Sequence, residues 1–305
     1  MNRIQQILEK AEKDETVRRA VSLDTLESQR FATSAPYAPA PAPGHGRDSN
    51  DGARRAADGA TATRIDESER DPAAPLMPDS SRAPAPTGKV TLHPLLVAGL
   101  APSSPAAEQY RSLRSRITQM AQSPRVIQIT SPGHHDGKTV TALNLALTMA
   151  QEFQRRVLVI DTDLRRPSVH QLLGLPPGPG LVDLLTGRVP LGDALIELPE
   201  HHLTVLRAGA SYDHPAEMLG SAPMRRLMDS LRTEFDRIVI DSAPTLVSDP
   251  GAVAALADGL VLVVRAGVTT KPSISKAVST LGGARVLGMV FNESTTTQPT
   301  YAARH

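Results

Sequence analysis

Val157 to Ile160 and Ile238 to Ile240 are unbroken apolar runs rich in β-branched residues, and each stops at an aspartate. A strand that is apolar on both sides must be covered on both sides, the situation of a central strand in a parallel sheet. Val126 to Ile129, Leu203 to Leu206, Leu260 to Val264 and Val286 to Phe291 read as further strands. Helical patterns lie between them, with Met224 to Phe235 and Ile274 to Leu281 the clearest. This alternation predicts an α/β fold: a mostly parallel sheet flanked by helices on both faces.

Val126 to Ile129 leads into Ser131-Pro132-Gly133-His134-His135-Asp136-Gly137-Lys138-Thr139, and a long helical pattern begins near Val140. A Gly-Lys-Thr between strand and helix suits nucleotide phosphates, because loop N–H groups and the positive helix end face the anion. Ser131, Gly133, Asp136, Gly137, Lys138, Thr139 and Val140 are the candidate phosphate-binding residues. The Lys138 ammonium can reach the β and γ oxygens, and the Thr139 hydroxyl can coordinate Mg²⁺. The usual spacing would put glycine where Pro132 stands.

Ligands of open α/β sheets sit beyond the carboxyl ends of the strands, so Asp161, Asp163 and Asp241 should converge on this loop. Hard carboxylate oxygens there suit an Mg²⁺–nucleotide complex. The last strand ends in Asn292, whose amide can both donate and accept, as contact with an adenine edge requires. Asn292 is also compatible with simple turn formation.

Together these motifs resemble the bacterial tyrosine kinases of capsule and exopolysaccharide synthesis, a branch of the MinD/ParA-like P-loop ATPases. The resemblance runs from about Ala106 to Asn292. Ser131 to Thr139 is similar to the family's Walker A loop, Val157 to Asp163 to its Walker A′ segment, and Ile238 to Asp241 to its Walker B strand. It implies ATP and Mg²⁺ as cofactors, with Lys138 on phosphate and Thr139, Asp163 and Asp241 around the metal. It also implies catalytic roles for Lys138, Asp161, Asp163 and Asp241, with the first two aspartates serving metal and acceptor hydroxyl. Gly133 stands where the positioning ATPases carry an extra lysine, which favours the kinase branch. Glu108, Arg111 and Arg114 match a Glu-x-x-Arg-x-x-Arg motif that relatives use to assemble rings. Residues three apart share a helix face, so they would form one polar stripe. Pro215-Ala216-Glu217-Met218-Leu219 resembles a further family segment to which no chemistry is assigned.

Composition places this domain within the chain. Residues 32–88 are dominated by Ala, Pro, Gly, Ser and charges and predict a disordered linker, since they offer too little apolar surface to offset ordering entropy. Before it, Ile4, Ile7, Leu8 and Ala11 recur at helical spacing, so residues 1–31 predict a short amphipathic helical segment. That segment could dock a partner, lie on a membrane surface or fold back on the core. The ATPase or kinase domain is expected over 89–292 and a mobile polar tail over 293–305. The chain has no cysteine, which removes thiol chemistry and disulfides. Its net charge of +1, without basic stretches interleaved with aromatics, gives no sign of a nucleic-acid partner. No stretch reaches the ~20 apolar residues of a membrane span. The resemblance therefore implies a cytoplasmic protein at the inner face of the plasma membrane, held there by a separate chain-length regulator, and a homo-oligomeric ring.

Two functions compete. One is ATP-dependent tyrosine autophosphorylation that regulates polysaccharide polymerisation and export. The other is a nucleotide-switched ATPase regulator with little or no kinase activity; a partition-type ATPase is a more distant third. Autophosphorylating relatives end in a tyrosine cluster, whereas here only Tyr301 of four tyrosines lies in the tail. Tyr301 is the candidate phosphoacceptor, with Tyr37 of the linker as competitor; Tyr110 and Tyr212 read as structural.

Overall fold

The computed structural model describes residues 90–247 and 251–294. The amphipathic segment 1–31, the linker 32–88, Tyr37 and Tyr301 lie outside them.

The chain enters through α1 (Val97–Leu100) and α2 (Pro105–Thr118), the latter capped by the Ser104 side chain accepting from the Ala107 N–H. Then follow β1 (Val126–Thr130), α3 (Lys138–Ala150), β2 (Val157–Asp161), α4 (Val169–Leu172), α5 (Leu181–Leu185) and α6 (Leu191–Ala194). Next come β3 (Leu195–Leu198), β4 (Leu203–Leu206), α7 (Pro215–Leu219), α8 (Ala222–Glu234) and β5 (Arg237–Asp241). The last elements are α9 (Gly251–Ala254), β6 (Gly259–Arg265), α10 (Lys271–Thr280) and β7 (Val286–Asn292).

Among the described residues seven strands form one sheet, in the order β3-β4-β2-β5-β1-β6-β7. Every pairing is parallel except β3 with β4. The two apolar runs that end in aspartate, β2 and β5, sit side by side in the middle, with β1 next to them. Side chains alternate across the sheet. Val159, Val239, Ile127 and Ile129 pack on one face with Leu143 and Leu147 of α3. Leu158, Ile160, Ile238 and Ile240 pack on the other with Leu227, Met228 and Leu231 of α8. The expected α/β architecture is therefore present, and six of the seven strands fall where the sequence places them.

The seventh strand, β3, was not anticipated. It has only four residues, lies at the edge and runs antiparallel, returning through a 3₁₀ turn at Pro199–His201 and His202 at φ 51°. Four residues directly after a helical turn have no periodicity of their own to read.

Helix α3 is the pivot of the fold. All its residues except Val140 are buried, which its small and apolar side chains permit. Its one amide, Asn144, accepts from the Ala98 N–H and donates to the carbonyls of Leu95 and Val140, all at 2.9 Å. A buried amide so fully satisfied fixes the entering segment against the helix that carries the phosphate loop.

Candidate functional site

The loop 131–137 leaves the carboxyl end of β1 and enters α3 at Lys138. Gly137 makes this turn at φ 90°, and a β-carbon there would lie 1.9 Å from the Asn292 amide nitrogen. Glycine is thus required both by conformation and by the close approach of β7. The loop braces itself: the Gly133 N–H donates to Asp136 Oδ2 at 2.9 Å, and the Ser131 hydroxyl donates to the Gly133 carbonyl at 2.6 Å. Asp136 Oδ1 accepts from the Thr269 hydroxyl at 2.7 Å, tying the loop to the turn after β6. Asn292 Nδ2 donates to the Asp136 carbonyl at 3.2 Å. Asp136 and Asn292 therefore shape the loop, with one Asn292 amide N–H engaged there.

The three aspartates do converge. Lys138 Nζ lies 2.9 Å from Asp163 Oδ2 and 3.7 Å from Asp241 Oδ2. The Thr139 hydroxyl donates to Asp241 Oδ2 at 2.7 Å. Asp161 faces backbone instead: its Oδ1 accepts from the Asp163 N–H, and its Oδ2 from the N–H groups of Ser168 and Val169, all at 3.1 Å. It holds the segment that carries Asp163 in place.

Three carboxylates and one ammonium share this buried corner, and their proton affinities follow. Burial, and then the charge of Asp241, push the Asp161 carboxyl up to about 8. Burial also raises Asp241, although Lys138 and the Thr139 hydroxyl work against the rise. Burial alone would lower Lys138, but Asp241 and Asp163 outweigh it and leave the ammonium above its ordinary value. Lys138 thus stays charged and serves as the counter-ion of the cluster.

The donor set fits a hard divalent cation. Thr139, Asp163 and Asp241 present oxygen ligands, and Asp241 Oδ1 is buried without a hydrogen-bond partner among the described residues. An acceptor left in that state costs free energy until something fills its lone pairs. The Lys138 ammonium stands among those same oxygens.

Sequence reasoning missed two polar contributors. Ser168, after Arg165-Arg166-Pro167, donates from its hydroxyl to Thr139 Oγ1 at 3.1 Å. Gln128, fully buried in β1, donates to the Ser242 hydroxyl oxygen at 2.9 Å while its own Oε1 has no hydrogen-bond partner among the described residues. It lines a cavity of about 60 Å³ beside Asp163, whose wall includes Pro215 and Leu219 of α7. A lone amide within an apolar run was its signal. The cavity brings the Pro215 to Leu219 segment next to the site.

The Glu108, Arg111 and Arg114 stripe divides. Glu108 and Arg111 pair with each other along α2 at 2.5 Å, and Arg111 also donates to the Pro102 carbonyl. Arg114 turns inward, donating to the Thr148 carbonyl at 2.7 Å and meeting Glu152 at 3.2 Å, so it clamps α2 to the end of α3. Tyr110 lies between the same helices, and burial raises its hydroxyl despite hydrogen bonds to Thr141 and Asn144.

No protein-family model matches the chain. Tyrosine-protein kinase YwqD of Bacillus subtilis is 35% identical over 202 residues, covering 65% of this chain and 85% of that protein. The putative tyrosine-protein kinase CapB of Staphylococcus aureus is 32% identical over 67% of this chain and 91% of its own length. Among solved structures, the chimerical protein CapA2B2 aligns with a TM-score of 0.63 at 30% identity, covering 66% of this chain and 90% of that one. A phosphate loop on β1, aspartates at the ends of β2 and β5, and relatives of this closeness lead to one conclusion: the chain belongs to the family of bacterial tyrosine kinases.

Proposed function

We propose that the protein is an ATP-dependent tyrosine autokinase that regulates polymerisation and export of a capsular or extracellular polysaccharide. The observation that carries this reading is the convergence of Lys138, Thr139, Asp163 and Asp241 beyond the carboxyl ends of adjacent strands. Lys138 would leave Asp163 for the β and γ phosphate oxygens, and Mg²⁺ held by Thr139, Asp163 and Asp241 would supply charge neutralisation. The acceptor oxygen forms its bond to the γ phosphorus as the bond to the β–γ bridging oxygen breaks. Its proton passes to Asp163, whose carboxylate is then free of the lysine. Asp161 acts as a positioning residue, because its oxygens are committed to backbone N–H groups. Most of the catalysis is alignment and electrostatics.

The acceptor assigned is Tyr301. Tyr110 is packed between α2 and α3, and Tyr212 is half-buried against the second core, which leaves neither hydroxyl free to travel. Glu108, which is exposed, and the half-buried Arg111 paired with it are the residues offered for subunit contact in a ring; Arg114 ties that helix to α3. The proposed setting is the cytoplasmic face of the membrane, with a separate chain-length regulator as partner. No helix among the described residues is long and apolar enough to cross a membrane.

Intact-mass measurement after incubation with Mg-ATP, with and without phosphatase, tests the assignment. A phosphatase-sensitive gain that maps to Tyr301 and vanishes in Tyr301→Phe is expected. The single tail tyrosine favours a second reading, an ATP-driven assembly switch. Steady ATP hydrolysis without any phosphotyrosine would establish that reading instead.

A further inference from the structure

The opposite end of the sheet carries its own pattern. Arg155 and Arg156 precede β2, Arg237 opens β5, Arg125 precedes β1 and Arg285 precedes β7. Val157 pairs with Arg237, Val126 with Ile238 and Leu260 with Val286, so parallel register draws these distant positions into one row. Five strands spaced about 4.8 Å apart make the row roughly 20 Å long. Arg125, Arg155, Arg156 and Arg285 are exposed.

Most acids of this edge are already engaged. Glu152 meets Arg114 and Arg155, Asp236 meets Arg155 and accepts from the Arg156 N–H, and Asp258 meets Arg232. Glu234 has no ion pair among the described residues. Arg125 donates to the carbonyls of Arg232 and Phe235, and Arg237 to the Ser123 hydroxyl oxygen. Such contacts satisfy donors without cancelling charge. Burial, and then the charge of Arg155, hold Arg237 below its ordinary value.

Phe153 stands at this same edge, in the turn between α3 and β2, and is 86% exposed. A bare aromatic ring beside a line of arginines suits a bilayer surface, where the ring enters the headgroup boundary and guanidinium groups pair with lipid phosphates. A single-stranded nucleic acid would instead be met by several stacking aromatics along a groove. The net charge of the chain is only +1, so the row is a local concentration rather than general basicity.

We infer that the amino-terminal edge of the sheet is a direct contact surface for an anionic lipid bilayer. The inference does not depend on the kinase reading or on a membrane partner. The purified full chain should co-sediment with phosphatidylcholine vesicles containing phosphatidylglycerol, and far less with phosphatidylcholine alone, with binding lost at high salt. Arg156→Glu with Arg285→Glu should reduce binding by at least about tenfold, and Phe153→Ser should reduce it on the same vesicles. ATP affinity, measured in parallel, should stay at the wild-type value and would show that the variants are folded. Three results would overturn the inference: no vesicle binding by the wild type, equal binding to neutral vesicles, or unchanged binding in the double variant. The last would assign the contact to another segment.

Discussion

The two ends of the same parallel strands hold charge in opposite ways. At the carboxyl ends, Asp161, Asp163 and Asp241 are enclosed by the phosphate loop and the segment 162–168, and no more than a few per cent of any of them is exposed. At the amino ends, Arg125, Arg155, Arg156 and Arg285 stand outside the strands and are exposed, with Arg237 half-buried among them. Register aligns both sets equally, so the difference comes from what covers them. A charge in water costs little and interacts weakly. A charge under loops must be paired, protonated or bound to a cation. The covered end is therefore where chemistry is expected, and the open end where long-range attraction is.

Lys138→Met should break this contrast most severely. It removes the counter-ion of the buried cluster and the only ammonium in the loop. Loss of a charge-assisted contact to phosphate predicts ATP binding weaker by about a hundredfold, with phosphate transfer abolished. Titration with a fluorescent ATP analogue measures the first effect, and wild-type affinity together with wild-type turnover would remove the site from this loop.

Asp163→Asn and Asp241→Asn should separate binding from catalysis. Both keep the shape of the carboxylate and lose its charge, which matters most as charge moves in the transition state. Transfer should fall by about a hundredfold or more, with nucleotide affinity changed much less. Single-turnover transfer and equilibrium binding on the same samples check this; parallel losses in both would assign these groups to binding alone.

Asp161 sharpens the comparison through pH. Its carboxyl is raised from 3.8 to about 8, so between those values the folded protein holds a proton that the unfolded chain has released. Stability of the nucleotide-free protein should accordingly fall as pH rises through that window and level off above it. Asp161→Asn cannot ionise, and its unfolding temperature should be the flatter function of pH. Thermal unfolding of both proteins across the window measures the difference, and equal slopes would remove Asp161 as its source.

The smallest effects compare two arginines. Arg114→Ala loses the Thr148 carbonyl contact and the Glu152 pair and should cost about 1 kcal/mol. Arg156→Ala loses no side-chain partner among the described residues and should stay within about 0.5 kcal/mol. Denaturant midpoints would rank them, and a larger loss for Arg156 would mean that the open edge is structural.

Much of this was legible in the chain. Apolar runs ending in aspartate, with helical patterns between them, specified central parallel strands, because only burial on both faces tolerates such runs. The Gly-Lys-Thr loop marked the helix that carries the site. The edge strand β3 was not legible, since four residues gain strand character only from the partner they pair with. Nor was the task of Asn292. Its position at the end of β7 was foreseen, but its contact with Asp136 depends on bringing β7 within 3.2 Å of a loop 156 positions away in sequence.

The sequence by itself determined which residues could be buried and which strand ends would carry carboxylates, because those properties follow from side-chain chemistry and local periodicity. Only the tertiary structure decided how the polar groups divide their work. Asp163 and Asp241 were placed on Lys138 and Asp161 on backbone N–H groups, while Arg111 paired with Glu108 of its own helix and Arg114 with the end of α3. These outcomes depend on distances between elements remote in the chain, and hydrogen-bond geometry, unlike hydrophobicity, is satisfied only by particular partners at particular positions.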